Sequence, residues 1–403
     1  MVLQENIFYV GVNDRNKHRF EGLWPLPDGV SYNSYLIQDE KTALIDTVDI
    51  CYCEELLEKI HEAIGDKPID YLVINHMEPD HSGSISFIRK YYPNITIVGN
   101  AKTLSMLKGF YNVEGNELTV KEGTELDLGK HKLAFYLIPM VHWPETMVTY
   151  DSTSKTIFSG DAFGCFGALN GGVVDEKINT ALYWREMERY YSNIVGKYGM
   201  MVQNALKKLA KLDIQMICST HGPVWTKQIP EVIKTYDRLS KYEGQEGITI
   251  AYGTMYGHTA RMAEKIAEAA SEAGIRNIVL HNLVKDNDSY VIADVFRYKG
   301  LILGSPTYNG ELFPRVRSII DAIAERGVKN RYLGYFGAFT WAGAALKHLA
   351  AFNEKMKYEV VADPFELKQG MYPTVEDSCK ALGKAMAEKL IAERPCEGKF
   401  SNI

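Results

Sequence analysis

The sequence lacks the features that would assign it to a membrane, a nucleic acid or an oxidising compartment. No apolar run approaches 18 residues, so no membrane-spanning helix is expected. The opening MVLQENIFYVGVNDRN has no basic segment followed by an apolar stretch and a small-residue cleavage site, which argues for a cytoplasmic location. The formal net charge is only −6, and lysines and arginines are scattered, which leaves no basic face for nucleic acid. Six cysteines (Cys51, Cys53, Cys165, Cys218, Cys379, Cys396) form neither a C-x-x-C pair nor a disulfide framework and read as reduced thiols. A G-x-G-x-x-G fingerprint is also missing, which disfavours a dinucleotide bound in the Rossmann manner.

What is present points to two ordinary domains. A chain of 403 residues, 46% hydrophobic and 24% charged, exceeds what one core usually supports. The polar stretch 241–247 marks the best boundary, with domains over 1–245 and 248–403. In the first part, strand-like runs at 71–75, 95–99, 133–139, 156–160 and 215–220 accompany helical patterns at 82–92, 101–110 and 178–211. In the second, runs at 248–253, 278–283, 301–305, 332–339 and 359–367 alternate with amphipathic segments, the pattern of a doubly wound α/β sheet.

The densest chemistry lies in Asn75-His76-Met77-Glu78-Pro79-Asp80-His81, four potential ligands within six residues directly after a strand run. His142, Asp161 and His221 each follow a further run. If the strands share an orientation, these loops meet at one edge. Singly, such a histidine also fits a turn and Asp161 a helix N-cap; together, seven ligands exceed the need of one four-coordinate zinc and imply two metals. Four imidazoles with three carboxylates and no thiolate lean towards iron or manganese, and Asp161 is the candidate bridge. Trp143 and Pro144 are expected to fix the His142 loop, and Tyr191 is a candidate hydrogen-bond donor behind the ligands.

In the second domain, Thr254-Met255-Tyr256-Gly257-His258-Thr259 follows a strand run and opens a helix, an arrangement suited to phosphate. The loops Pro306-Thr307-Tyr308-Asn309-Gly310 and Ala338-Phe339-Thr340-Trp341-Ala342-Gly343 follow strands of the same expected sheet and carry aromatics suited to flank a flavin ring.

The order H-x-E-x-D-H, HWPETM, SGDAFG, STHG resembles the metallo-β-lactamase-like domain of flavodiiron proteins, and the second half resembles flavodoxin. Glu78 stands where zinc hydrolases of that superfamily have a second histidine. The resemblance covers nearly the whole chain and implies an αββα sandwich followed by a flavodoxin-like parallel sheet, with FMN and two iron atoms per chain. It assigns His76, Glu78 and His142 to one iron and Asp80, His81 and His221 to the other, with Asp161 bridging and His81 either ligating or turned aside. It further implies reduction of dioxygen to water, of nitric oxide to nitrous oxide, or both. With no C-x-x-C pair, no rubredoxin-like module is expected in the chain. Electrons would then come from rubredoxin, a reduced deazaflavin or another flavoprotein. Because the boundary stretch spans roughly 25 Å at full extension, a head-to-tail homodimer, or a dimer of dimers, is expected to bring one chain's flavin to the other's irons. The alternative is a zinc hydrolase with an accessory flavodoxin-like domain.

Overall fold

The computed structural model describes residues 1–394, and the chain divides into two compact units, Met1–Lys241 and the residues from Tyr242 onward. The strand opening the second unit already begins at Gln245. The second half of the polar stretch 241–247 is therefore strand, not connector.

The first unit holds a seven-stranded and a five-stranded sheet. In the larger, Ala43–Ile45, Tyr71–Val73, Thr96–Gly99 and Glu117–Thr119 run parallel, and an antiparallel edge of Val2–Gln4, Ile7–Tyr9 and Tyr35–Ile37 extends it. In the smaller, Glu125–Asp127, Lys132–Leu137, Met147–Asp151 and Thr156–Gly160 pair antiparallel, and Met216–Ser219 joins parallel. The sheets pack face to face. Tyr35 of one meets Phe158 of the other at 5.4 Å between ring centroids, and its hydroxyl donates to the Ser219 carbonyl at 2.6 Å. Strands such as Thr156–Gly160 are buried along their whole length, which explains runs that are apolar or small throughout instead of alternating.

The second unit is a parallel sheet in the order Ile278–Asn282, Gln245–Tyr252, Tyr298–Tyr308, Tyr332–Phe339, with Glu359–Val360 and Phe365–Lys368 both pairing with the last. The strand order reverses beside Gln245–Tyr252, the topological switch where such sheets open a ligand crevice. One core cluster joins Ile248, Ile250, Ile302 and Phe336 of the sheet to Met262 and Ile266 of helix His258–Glu272 and to Leu382 and Met386 of helix Pro373–Ala392.

Three expected elements differ. The single strand over 359–367 is two short strands interrupted around Asp363-Pro364, because proline donates no ladder hydrogen bond. The helical pattern at 82–92 is a turn of helix, Pro79–Ser82, and a second helix, Ile85–Tyr91. The pattern at 178–211 breaks into helix Ala181–Tyr190, a π-helical turn Tyr191–Val195, a 3-10 turn Gly196–Tyr198 and helix Gly199–Leu209.

Candidate metal centre and flavin cradle

The loop after Tyr71–Val73 is fixed from behind before it presents any ligand. Asp46, itself at φ +54°, accepts the Asn75 backbone N–H at 2.7 Å and its side-chain amide at 3.0 Å, and Thr149 donates to Asn75 Oδ1 at 2.8 Å. The chain then turns into Pro79–Ser82, where proline at the first helical position suits a free N–H site. Ser82 Oγ closes the turn by donating to the Met77 and Glu78 carbonyls.

Two buried groups of donor atoms result: His76, Glu78, His142 and Asp161, and Asp80, His81 and His221. In the first, His142 Nε2 lies 3.1 Å from Glu78 Oε2, 3.0 Å from Asp161 Oδ2 and 3.3 Å from His76 Nε2. In the second, His81 Nε2 lies 3.1 Å from His221 Nε2 and 3.0 Å from Asp161 Oδ1. Asp161 thus sends Oδ2 to one group and Oδ1 to the other.

The hydrogen-bond pattern suits cations. Since the Ser31 carbonyl only accepts, His221 Nδ1, 2.7 Å from it, must carry a proton, which leaves Nε2, the nitrogen facing His81, as the one to meet a cation. Glu145 holds His76 in the same sense, with Oε1 2.8 Å from Nδ1 and accepting the Met77 N–H at 2.9 Å. Both Asp80 oxygens are buried without a hydrogen-bond partner, an arrangement that is costly unless a cation sits beside them. His81 Nε2 points into the cluster, and its Nδ1 is buried without a hydrogen-bond partner, unlike Nδ1 of His76 and of His221.

Without a metal, protons take the place of the cations. Burial opposes charge on the rings, but Asp161, Glu145 and Glu78 around His76 outweigh it and hold its pKa well above the usual value. The same contest pushes His81 and His142 up to about 9. Burial would raise Asp161, yet His81, His76 and His142 hold it well below the ordinary carboxylate range. Metal loading must therefore release protons.

The tyrosine that meets Asp161 is Tyr190, the neighbour of the Tyr191 expected from sequence. Tyr190 Oη donates to Asp161 Oδ2 at 2.8 Å, and Thr220 Oγ1 donates to Asp161 Oδ1 at 2.5 Å. Burial, then the Asp161 charge, raises the Tyr190 pKa well above the usual phenol value, which keeps it a donor. Tyr191 packs edge-on against Tyr236 at 5.0 Å. One residue further on and about 100° round the helix axis, it lies off the face that Tyr190 shares with Phe166 and His221. Sequence reading also missed Glu145. A carboxylate three residues beyond His142 in a ligand loop was the available signal. A mouth of about 280 Å³, lined by Lys17, Phe20, Glu21 and Asp49 among others, opens onto Glu78 and Asp80.

In the second unit a cavity of about 360 Å³ lies at the carboxyl ends of Gln245–Tyr252, Tyr298–Tyr308 and Tyr332–Phe339. It gathers Thr254, Met255, Tyr256, His258 and Thr259 from the first loop, Pro306 to Gly310 from the second, and Ala338 to Ala342 from the third. Gly257 and Gly343 are not in its lining. Gly257 serves the turn at φ +90°, and an added Cβ on Gly343 would meet the Glu366 carboxylate at 2.3 Å. Gln369 lines the cavity and was not expected, because it follows the edge strand Phe365–Lys368, whose end was not legible in sequence. Tyr256 and Trp341 line this cavity with side chains 88% and 86% exposed, so both aromatic faces are open at its rim.

Residues 30–222 match the family model of ODP family beta lactamases, and residues 250–381 match that of flavodoxin. The chain is 32% identical over 396 residues to a nitric oxide reductase of Moorella thermoacetica, an alignment covering 97% of this chain and 98% of the relative. It is 30% identical over 400 residues to an anaerobic nitric oxide reductase flavorubredoxin of an Enterobacter species, covering 96% and 82%. Among solved structures, rubredoxin oxygen:oxidoreductase from Desulfovibrio gigas superposes with a TM-score of 0.92 at 29% identity, covering 97% and 98%. The flavodiiron protein of Giardia intestinalis gives 0.92 at 28%, covering 97% and 96%. A β-lactamase-type domain with paired clusters of histidine and carboxylate, joined to a flavodoxin domain and matched nearly end to end by these relatives, means that the chain belongs to the flavodiiron protein family.

Proposed function

We propose that the protein passes electrons from FMN to a non-haem diiron centre that reduces dioxygen to water, nitric oxide to nitrous oxide, or both, with residues 1–245 serving the metals and 248–403 the flavin. The observation that carries this is the Asp161 carboxylate, shared between two buried clusters of donors in a chain whose other half belongs to the flavodoxin type. His76, Glu78 and His142 would hold one iron and Asp80, His81 and His221 the other, with Asp161 offering one oxygen to each group. When bound, two ferrous ions and a reduced flavin supply four electrons, enough for dioxygen to water with four protons, or for two nitric oxides to nitrous oxide and water with two electrons and two protons.

The chain's own side chains orient and insulate. Glu145 and the Ser31 carbonyl fix which imidazole nitrogens face the metals. Tyr190 and Thr220 hold the Asp161 carboxylate in its spanning orientation. Phe20, Phe166 and Tyr32 pack around His221 and Tyr190 and keep bulk water from that side. The hydrolase alternative is not favoured by oxidoreductase relatives that span the chain.

Electrons arrive from an external donor, either rubredoxin, a reduced deazaflavin or another flavoprotein. The working unit is a head-to-tail homodimer or a dimer of such dimers. In support, Tyr256 and Trp341 are exposed at the flavin cavity, and Leu23 and Ile50, each next in sequence to a residue lining the metal mouth, are exposed apolar side chains. The test is to measure iron and flavin in the purified protein, reduce it, and compare turnover with each gas. About two irons and one FMN per chain with turnover of either gas is expected. A colourless, zinc-loaded protein that cleaves esters would overturn the proposal.

A further inference from the structure

The flavin cavity is lined by 16 residues, and none of them is aspartate, glutamate, lysine or arginine. If the cavity holds FMN, as proposed above and as this inference requires, it takes in a phosphate monoester of charge about −1.5 to −2 near neutral pH. Phosphates in proteins are commonly met by arginine or lysine as well as by backbone N–H groups. Here the loop 254–259 must meet that charge by other means. The 15-residue helix His258–Glu272 points its N-terminus at the loop, and Gly257 N–H already donates to Thr254 Oγ1 at 3.1 Å, which leaves the threonine O–H free to donate. At the far side of the cavity, Thr307 Oγ1 accepts from Ala344 N–H at 2.9 Å and Ala345 N–H at 3.3 Å, which holds that hydroxyl against the third loop. His258, the first residue of the helix and exposed, is the one lining residue whose side chain can carry a positive charge.

We propose that His258 is the specificity-determining residue by which the cradle selects the phosphorylated flavin over uncharged riboflavin. Its imidazole donates to a phosphate oxygen next to the helix N-terminus, where a charge-assisted hydrogen bond adds to the backbone contacts. Riboflavin offers no such charge, so its binding rests on ring stacking and the neutral contacts alone.

The full-length protein, stripped of flavin, would be titrated with FMN and with riboflavin, following quenching of flavin fluorescence. The same titrations would be run on His258→Ala and His258→Lys, with far-UV circular dichroism and the thermal midpoint checking that each variant is folded. The wild type should prefer FMN. His258→Ala should bind FMN about ten-fold or more weakly, as loss of one charge-assisted hydrogen bond implies, with riboflavin affinity changed by less than about two-fold. His258→Lys should keep most of the preference. Added salt should weaken FMN binding by the wild type more than by His258→Ala. An equal loss for both flavins would show that His258 only packs the loop, and an unchanged FMN preference in His258→Ala would show that the backbone and threonines suffice; either result overturns the assignment. A wild type that takes up neither flavin would remove the FMN reading itself, and the role of His258 with it.

Discussion

Asp161 has its two oxygens committed to different neighbours, His142 and Tyr190 at Oδ2 and His81 and Thr220 at Oδ1, so a change there reaches both groups of donors at once. Removing it leaves two cations facing each other without the carboxylate that offsets both charges. Asp161→Ala is therefore expected to lose at least one iron per chain while FMN stays bound, measured by metal analysis and flavin absorbance; retention of iron and of turnover would show that Asp161 holds no metal. Tyr190 acts on the same carboxylate through one hydrogen bond. Tyr190→Phe should lower iron affinity or turnover by about ten- to a hundred-fold, the range for outer partners of metal ligands, and Tyr191→Phe should change either by no more than a few-fold. Equal effects of the two changes would contradict the assignment. The residue types in E-R-Y-Y were legible, but which tyrosine meets Asp161 was not. Adjacent helical side chains lie about 100° apart round the axis, and which of the two faces meets the ligand loops is set by how the helix Ala181–Tyr190 packs, not by any local pattern.

The loops that follow strands are the elements that make the site, and their backbones are as constrained as their ligands. Gly222, next to His221, sits at φ +75°, and a Cβ there would meet Cys165 Sγ at 2.2 Å. Gly222→Ala should therefore cost about 1–3 kcal/mol from left-handed backbone and overpacking together, lower the thermal midpoint and shed iron. A variant of wild-type midpoint and iron content would show that the loop can shift. Away from the metals, His131 Nδ1 lies 2.7 Å from Asp151 Oδ2 and ties the start of strand Lys132–Leu137 to the end of Met147–Asp151. The hydrogen bond to Asp151 raises the His131 pKa; burial would raise that of Asp151, but the bond to His131 outweighs it and lowers it. The histidine's contribution is complete below its unfolded value and is lost as pH rises through the raised one. The aspartate's contribution is complete above its unfolded value and is lost as pH falls through the lowered one. The pair thus stabilises most between about pH 4 and 6.5. His131→Asn should lower stability by about 1–3 kcal/mol near pH 6 and by less at pH 9, read from denaturant midpoints at the two pH values. An equal loss at both would mean that packing, not charge, ties the strands. In sequence His131 carried no sign of this pairing, because its partner lies twenty residues away across a hairpin.

For the whole molecule the decisive experiment concerns assembly. One variant lacks iron, His76→Ala with Asp161→Ala, and another cannot hold FMN; each homodimer should be inactive. Co-expressed with different tags and purified through both, the heterodimer should recover turnover if one chain's flavin serves the other's irons. A heterodimer as inactive as its parents, with iron and FMN in their expected chains, would show that electrons pass within a chain. No helix among the described residues is long and apolar enough to cross a membrane, as the absence of long apolar runs implies. Cys396 lies outside the described residues, and the other five cysteines are free thiols. The sequence by itself determined the two-part architecture, the seven candidate ligands and the three flavin loops. Each of these is written in short stretches of chain, a strand run followed directly by its polar loop. Only the tertiary structure decided that Asp161 divides its oxygens between the two groups, that Glu145 and Tyr190 stand behind His76 and Asp161, and that Gln369 completes the flavin cavity. These are relations between side chains brought together from separate strands, and their geometry is set by packing across the sheets, which local residue patterns do not encode.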